Sequence, residues 1–319
     1  MDVKPRVLFL GGPTGAGKSE IALDLAQKLS GELISVDSMQ VYRGMDIGTA
    51  KASREEQHLV PHHLIDILDP SQLFSVYEFR ERALAAIQDI LQRGKTPIAA
   101  GGTGLYMRAL LEGLSEQPPG SETIRRRLEA SLAERGAAVL HEELGKIDAE
   151  AASAIKPSDA KRIIRALEIY ELSGKGPSQW RGRRQTLADL GYKPVVIGLT
   201  RPRAELYAAL DQRVDRMFER GLVREVGQLS KRPLSRTARQ AVGYKELLER
   251  MDEGGQWTEE ALAEARRLIK LNTRHLAKRQ MTWFRRERDV TWIEINSRMN
   301  PHEASREVQR LFEASVPVD

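Results

Sequence analysis

A glycine-rich octapeptide near the N-terminus constrains the fold more than any other feature of the chain. Residues 12–19 have the sequence GPTGAGKS and directly follow the apolar run Val7–Leu10. In a GxxxxGKS phosphate loop, backbone N–H groups surround phosphate oxygens, the lysine adds a positive charge and the serine hydroxyl binds Mg²⁺. Apolar residues then recur at helical spacing between Ile21 and Leu29. The pattern predicts a strand, a loop and a helix, and the loop residues expected to hold a polyphosphate are Gly12, Pro13, Thr14, Gly15, Ala16, Gly17, Lys18 and Ser19.

Further short apolar runs end at glycine or polar residues, as the strands of a parallel sheet do when their carboxyl ends line a cleft. Segments with helical periodicity separate these runs. The alternation predicts an α/β fold with a doubly wound parallel sheet of the P-loop NTPase type. The predicted strands after Val7–Leu10 are Glu32–Val36, Pro97–Ala100, Val195–Leu199 and a late strand at 290–295.

The strand pattern disappears in the middle of the chain. From about Pro118 to Tyr192 the periodicity is helical, interrupted by Pro-Pro-Gly and Gly-Lys-Gly-Pro segments that mark turns. This favours a helical insertion domain at 118–192 that moves over the cleft. The core is then divided into a first part at 1–117 and a second part at 193–319, which ends in basic helices.

Composition excludes several function classes. The chain has no cysteine, which excludes disulfides, thiolate zinc sites and a cysteine nucleophile. The N-terminal apolar run of four residues is too short for a signal peptide or a membrane span. We therefore expect a cytoplasmic protein with no membrane partner.

Positive charge is concentrated near the C-terminus. The net charge is +5, yet residues 266–288 contain nine lysines and arginines against one glutamate, so the rest of the chain is net negative. Three sets of basic residues at helical spacing suggest a nucleic-acid partner, although each alone is equally typical of a solvated helix face. We call these sets basic stripes; they are Arg213, Arg216 and Arg220; Arg267, Lys270, Arg274 and Lys278; and Lys161, Arg162 and Arg165. The neighbouring Trp283 and Phe284 are predicted to be core residues rather than base-stacking ones.

Two side chains after predicted strands are candidates for chemistry. Asp37 follows the second strand and suits a general base facing the phosphate site, although an Asp there could also cap a turn. Thr103, within Gly-Gly-Thr-Gly, has small neighbours that allow close approach of a ligand, but a tight turn explains the motif equally well. The pair His62-His63 suggests a metal site, which we reject because adjacent side chains of an extended chain point in opposite directions.

Six segments together resemble the tRNA dimethylallyltransferase family and span nearly the whole chain. They are GPTGAGKS (12–19), ISVDSMQVYRGMDIGTAK (34–51), PHHLIDILDPSQ (61–72), AAGGTGLYMRALLEG (99–113), RQAVGYKE (239–246) and TRHLAKRQMTWFRR (273–286). Two positions depart from the family pattern, with Lys161 where glutamine is usual and Ala52 where proline is common.

The resemblance implies transfer of a dimethylallyl group from dimethylallyl diphosphate to the N6 amine of the adenosine 3′ to the anticodon, with release of diphosphate. It also implies that Asp37 is the base, that Thr103 hydrogen-bonds the bridging oxygen, that Arg213 neutralises the diphosphate and that Ser19 binds Mg²⁺. The implied macromolecular partner is the tRNA anticodon stem-loop, bound by a monomer. Its implied contacts are Asp37, Ser38, Met39, Gln40, Lys161, Arg162, Ile163, Ile164, Arg165, Arg239, Gln240, Ala241, Val242, Gly243, Tyr244, Thr273, Arg274, His275, Leu276, Ala277, Lys278, Arg279 and Gln280.

Two alternatives remain open on the residues alone. A P-loop nucleotide or small-molecule kinase accounts for the phosphate loop, but three basic stripes exceed what a small acceptor needs. An RNA-binding module without prenyl transfer accounts for the basic stripes but gives Asp37 and Thr103 no shared task. The residues favour the kinase, and the family resemblance favours the transferase.

Overall fold

The chain forms two compact units. The computed structural model describes residues 4–180, 182, 184–287, 289–296 and 299–315. The first unit comprises Met1–Glu112 with Thr186–Asp319, and the second comprises Gly113–Gln185, where the sequence predicted an insertion at 118–192. Arg288, the last residue of the predicted basic segment, lies outside the described residues.

A six-stranded parallel sheet organises the first unit. Its strand order is β3-β2-β4-β1-β5-β6, and every neighbouring pair is parallel. The strands are β1 (Arg6–Gly11), β2 (Gly31–Val36), β3 (His62–His63), β4 (Thr96–Gly101), β5 (Lys193–Thr200) and β6 (Thr291–Glu294). The chain reaches β2 from β1 by crossing over β4, so the strand order reverses beside β1, where ligands bind in open sheets of this kind. The predicted α/β class is confirmed.

Helices of the first unit cover both faces of the sheet. They are α1 (Lys18–Lys28), α2 (Arg54–Leu59), α3 (Val76–Gln92), α4 (Gly104–Glu112), α9 (Arg203–Glu219), α10 (Leu222–Leu229), α11 (Arg236–Arg239), α12 (Tyr244–Leu248), α13 (Glu259–Phe284) and α14 (Pro301–Ala314). Alternate residues of β1 point to opposite faces. Val7 and Phe9 therefore join the core under α3, α4 and α13, whereas Leu8 and Leu10 join the core under α1 and α14.

The second unit is helical. It contains α5 (Glu122–Arg135), α6 (Ala137–Ile147), α7 (Ala149–Ala154), α8 (Ala160–Ser173) and a 3₁₀ helix at Pro177–Trp180. Its own core includes Leu140, Leu144 and Ile163. Buried Glu168 accepts hydrogen bonds from Arg125 and Arg165, which neutralise its charge inside this small unit.

The histidine pair has a structural role. His63 Nε2 lies 2.7 Å from a carboxylate oxygen of Glu32, and His62 Nδ1 lies 2.7 Å from the carbonyl oxygen of Val60. Glu32 is also paired with Arg93 and Lys95, and the Arg93 hydrogen bonds, followed by smaller contributions from His63 and Lys95, lower the pKa of this buried carboxyl to about 2. Among the described residues, no group of three or more His, Cys, Asp or Glu side chains is arranged to hold a metal ion.

No helix in the described part of the chain has the length and apolar character needed to cross a membrane.

Candidate active site

The phosphate loop joins β1 to α1 and leaves its backbone open to an anion. Gly15 and Gly17 have φ values of 83° and 86°, which side-chain-bearing residues rarely adopt. At Gly12 a Cβ atom would lie 2.3 Å from the carbonyl oxygen of Leu199, so only glycine fits. Gly17, the N-cap of α1, provides no side-chain hydrogen bond to the helix. The first N–H groups of α1 are therefore available to a phosphate.

Lys18 is held over this loop in an electropositive setting. Its Nζ donates a hydrogen bond to the carbonyl oxygen of Pro13 at 2.8 Å. Burial, and secondarily the positive charge of Arg213, lower the pKa of Lys18 to about 7, while Asp37 acts in the opposite direction. A bound diphosphate supplies negative charge at this position and favours the protonated form. Ligand binding and protonation of Lys18 should therefore be coupled.

This coupling predicts proton uptake at pH 8 when the protein is titrated with dimethylallyl diphosphate, the donor that the family resemblance implies. The ammonium of Lys18, with a pKa of about 7, is mostly deprotonated in the free protein at that pH, and the bound diphosphate restores its proton. Calorimetric titrations with Mg²⁺, in buffers of different ionisation enthalpy, measure the uptake. A Lys18→Arg control keeps its charge at this pH and should take up none. Equal uptake by both proteins, or none by the wild type, would contradict the prediction.

Arg213 projects from α9 into the same site. Its Nε is buried and has no hydrogen-bond partner among the described residues. Burial lowers the pKa of its guanidinium, an effect opposed by the nearby Asp37 carboxylate and reinforced by Arg216. Arg201, after β5, also has a buried Nε without a hydrogen-bond partner in the described structure, and its Nη1 lies 3.5 Å from the carbonyl oxygen of Gly15. The sequence placed Arg201 directly after a predicted strand but gave it no role, because only the tertiary structure shows that it lies beside the loop.

Asp37 and Thr103 are fixed at adjacent strand ends. One carboxylate oxygen of Asp37 accepts hydrogen bonds from the backbone N–H groups of Met39 and Gln40, at 2.8 and 3.3 Å. The hydroxyl of Thr103 accepts a hydrogen bond from the N–H of Ser38 at 3.2 Å, and the Thr103 N–H donates to the carbonyl oxygen of Val36. The Asp37 side chain thus caps a turn, as its alternative interpretation predicted, and it also lines a cavity.

That cavity combines a polar end with an apolar wall. Thr14, Asp37, Arg213 and Gln280 contribute polar groups. The apolar wall consists of Met39, Val214, Met217, Val242, Ile269 and Leu276. An apolar chamber that opens beside a phosphate loop suits a ligand with a diphosphate head and a short hydrocarbon tail.

Gln280 connects the phosphate loop to the turn after β4. Its side-chain oxygen accepts a hydrogen bond from the N–H of Thr14 at 2.8 Å, and its Nε2 donates to the carbonyl oxygen of Gly102 at 3.1 Å. A Cβ at Gly102 would lie 2.4 Å from that nitrogen. The family resemblance implied an RNA contact for Gln280, whereas its side chain is engaged within the protein.

Several other residues implied as RNA contacts do not reach the surface. The buried ones are Ile163, Ile164, Ala241, Gly243, Tyr244, Thr273 and Ala277. Met39, Val242 and Leu276 line the cavity, as do Ala241 and Thr273 of the buried group. The exposed ones are Lys161, Arg162, Arg239, Gln240, His275, Lys278 and Arg279. Ser38, Gln40, Arg165 and Arg274 are half-buried. In this conformation the fully buried side chains present no surface to RNA.

The predicted basic stripe on α13 is largely neutralised, because three of its four residues form ion pairs within the protein. Arg267 pairs with Glu264, Lys270 with Asp215, and Arg274 with Asp211. The stripe at Arg213, Arg216 and Arg220 is also divided, because Arg213 lines the cavity while the other two are exposed.

A different face of α13 carries unpaired positive charge. A groove is lined by His275, Lys278, Arg279, Thr282, Trp283 and Arg286. Lys278, Arg279 and Arg286 are exposed and form no ion pair with any described residue. The guanidinium of Arg108 lies 4.9 Å from the Trp283 ring centroid, and Phe284 is buried against Gly11. The core prediction is confirmed for Phe284, whereas Trp283 is half-buried and forms part of the groove.

The unpaired charges predict the salt dependence of RNA binding. Replacing Lys278 and Arg279 with alanine should weaken tRNA binding and reduce the slope of log K against log salt by about 0.7 to 0.9 per lost phosphate contact. Fluorescence titrations over a range of salt concentrations measure the slope. The matched control, Glu264→Ala with Arg267→Ala, removes an ion pair without changing net charge and should leave the slope unaltered. A slope that is equal in all three proteins would show that this face does not contact phosphates.

Ser19 fits the role of a Mg²⁺ ligand. It is exposed in the first turn of α1, beside the loop. Mg²⁺ is commonly held by one or two protein oxygens together with substrate phosphates and water. The absence of any three-residue ligand cluster among the described residues is compatible with that arrangement.

Comparison with known proteins identifies the family. The sequence model of the IPP transferase family matches residues 40–287, and that of isopentenyl transferases matches residues 5–65. A tRNA dimethylallyltransferase from Geobacter metallireducens is 47% identical over 293 residues, which cover 91% of this chain and 93% of the relative. One from Geobacillus thermodenitrificans is 44% identical, with 96% and 95% covered.

Solved structures of members of this family are also similar to this chain. The tRNA isopentenylpyrophosphate transferase of Bacillus halodurans is 41% identical, with a TM-score of 0.68 and 98% of each chain covered. A eukaryotic dimethylallyltransferase whose structures capture it acting on tRNA is 29% identical, with a TM-score of 0.81 and coverage of 99% of this chain and 81% of that one. With this similarity along nearly its whole length, the chain belongs to the tRNA dimethylallyltransferase family.

Proposed function

We propose that this protein transfers a dimethylallyl group from dimethylallyl diphosphate to the N6 amine of the adenosine 3′ to the anticodon of tRNA. The cavity carries the proposal, because it joins an apolar wall to the phosphate loop and to Asp37. A kinase would require polar partners for a phosphate acceptor there. The names and tRNA-bound structure of the relatives support the same reaction.

In the proposed reaction the carbon–oxygen bond of the donor breaks and a carbon–nitrogen bond to the adenine amine forms. The leaving diphosphate gains negative charge, which Lys18, Arg213 and the loop N–H groups stabilise. The Thr103 hydroxyl donates a hydrogen bond to the bridging oxygen. Ser19 would hold Mg²⁺, which would supply further neutralisation of this charge.

Asp37 receives the proton that the amine loses. The adenine amine is a weak nucleophile because its lone pair is delocalised into the ring, so removal of its proton assists attack. The second carboxylate oxygen of Asp37 has no hydrogen bond to the described residues and is free to accept from the amine, while the first is held by Met39 and Gln40. The adenine must leave the anticodon-loop stack to reach Asp37, at a cost of a few kcal/mol.

The proposal includes a monomeric enzyme acting on tRNA in the cytoplasm. Its direct test is incubation with dimethylallyl diphosphate, Mg²⁺ and unmodified tRNA, followed by mass spectrometry of the nucleosides. We expect isopentenyladenosine and released diphosphate. Absence of an isoprene unit on adenosine, together with phosphate transfer from ATP to a small acceptor, would favour the kinase alternative instead.

A further inference from the structure

The loop that carries Asp37 has little regular structure of its own. We call residues 37–51, between β2 and α2, the cavity loop; in addition to Asp37 it contributes Met39, Gly48 and Thr49 to the cavity. Turn hydrogen bonds and a β-bridge between Tyr42 and Leu68 hold part of its backbone, and contacts with side chains fix the rest. Those contacts fall into two groups, at its base and at its tip.

The base of the loop is fixed by Lys51. Its Nζ is almost fully buried and lies 2.6 Å from carboxylate oxygens of both Asp46 and Asp66. It also donates to the carbonyl oxygen of Tyr42 at 2.7 Å. These contacts connect the loop to the segment that follows β3 and involve no residue of the helices that cover the cavity.

The tip of the loop is held by Glu225 of α10. Its carboxylate accepts three hydrogen bonds from successive backbone N–H groups, those of Asp46 at 3.1 Å, Ile47 at 2.8 Å and Gly48 at 3.2 Å. Successive N–H groups that converge in this way form a concave site for an anion. Here the anion is part of the protein, so the tip is fixed by a carboxylate.

Tyr244 completes this arrangement. Its buried hydroxyl donates to Glu225 at 2.5 Å, and its ring packs so closely on Gly48 that a Cβ there would lie 2.4 Å from the ring. Burial, and next the adjacent carboxylate, raise the pKa of Tyr244, so the hydroxyl remains a protonated donor. The resemblance implied an RNA contact for Tyr244, yet its polar group faces the protein interior.

A short chain of hydrogen bonds connects the tip to Asp37. Thr49, the residue after Gly48, accepts a hydrogen bond at its carbonyl oxygen from the side-chain amide of Gln40, at 3.3 Å. The backbone N–H of Gln40 donates to Asp37, and the Gln40 side chain is held in turn by the hydroxyl of Ser35 at 2.8 Å. Movement of the tip would therefore disturb Gln40, which provides one of the two N–H groups that orient the Asp37 carboxylate; the other belongs to Met39 of the same loop.

We propose that Glu225, supported by Tyr244, is a positioning residue for Asp37 that acts through the tip of the cavity loop. This inference rests on the proposed function, since it assigns Glu225 to the proton-accepting half of that reaction. Glu225 touches neither the phosphate loop nor the groove on α13. Its loss should slow the chemical step much more than it weakens binding of the donor, whose diphosphate is held by the phosphate loop.

The test compares single-turnover rates, with tRNA and donor both saturating, for the wild type, Glu225→Gln and Tyr244→Phe. Glutamine keeps the shape of Glu225 but replaces one acceptor oxygen with a donor that faces N–H groups.

We expect a rate loss of about 10²-fold for Glu225→Gln, since misplacement by about 1 Å costs that much. A smaller loss is expected for Tyr244→Phe. Hydrogen exchange of the amides at 46–48 should accelerate, and the dissociation constant of dimethylallyl diphosphate should change much less than the rate does. Glu219→Gln is the matched control, because it also removes one negative charge but does so at an exposed position on α9.

A double-mutant cycle separates positioning from general support of the fold. Once Asp37 is asparagine, Glu225→Gln should cause little further loss, because the group it positions is no longer a base. Fully additive losses, an unchanged rate for Glu225→Gln or a parallel loss of donor affinity would overturn the inference. If Glu225→Gln does not fold, Tyr244→Phe carries the same cycle. A wild type that fails to prenylate tRNA would refute the proposed function, whereas an active wild type with an equally active Glu225→Gln would refute only the role of Glu225.

Discussion

Asp37→Asn is expected to lower the single-turnover rate of prenyl transfer by about 10²- to 10⁴-fold, the usual contribution of a positioned general base. An asparagine oxygen can still accept the hydrogen bonds from the N–H groups of Met39 and Gln40, so the turn should keep its shape. Only the negative charge and the ability to take a proton are lost. Rapid-quench measurements with saturating tRNA and donor report this step directly.

Affinity for tRNA provides the control for this experiment. If Asp37 acts as the base, Asp37→Asn should bind tRNA nearly as tightly as the wild type does. Asp37→Ala removes the turn hydrogen bonds as well, so any difference between the two variants measures the structural part of the contribution. Equal losses of rate and of tRNA affinity in Asp37→Asn would mean that the carboxylate only positions RNA.

Arg213→Met is expected to have opposite effects on activity and on stability. Loss of the guanidinium should reduce the rate of transfer by about 10²- to 10³-fold, which is typical for removal of one group that stabilises developing negative charge. In the ligand-free protein, however, Arg213 has a buried Nε without a hydrogen-bond partner in the described structure, and burial lowers its pKa. A methionine of similar length removes this unfavourable charge, so the thermal midpoint of the free protein should rise.

Scanning calorimetry with and without dimethylallyl diphosphate measures the thermal midpoints of the ligand-bound and the free proteins. The wild type should gain more stability from the ligand than Arg213→Met does, because only the wild type pairs the buried charge with the diphosphate. Arg306→Met, on the exposed face of α14, controls for the general effect of replacing arginine with methionine. A lower midpoint for free Arg213→Met would show that Arg213 is satisfied before the ligand binds.

The sequence was most informative where a local motif and the hydrophobic period agree. The strand before the phosphate loop, the glycines with positive φ and the helix at Lys18 all follow from a few consecutive residues. The alternation of apolar runs with helical segments predicted the α/β class, because each run must be buried between helices. The end of β2 next to Asp37 could be located for the same reason.

Charge was the least reliable guide, because an ion pair depends on the partner that folding supplies. Arg267 and Arg274 have the helical spacing of a cationic face, yet Glu264 and Asp211 neutralise them. Asp211 is far from Arg274 in the sequence and approaches it only when α9 packs against α13. No periodicity in one helix could have revealed that pairing.

The sequence alone determined the parallel α/β class and predicted a polyphosphate site at Gly12–Ser19, because both follow from residues close together in the chain. Tertiary structure decided how the cavity is built. It brought Arg213 and Gln280 to the phosphate loop, and it brought the Glu225 carboxylate to the loop that carries Asp37. The physical reason is that hydrogen bonding, burial and charge neutralisation depend on distances between atoms, and for these residues those distances are set only when distant helices pack on the sheet.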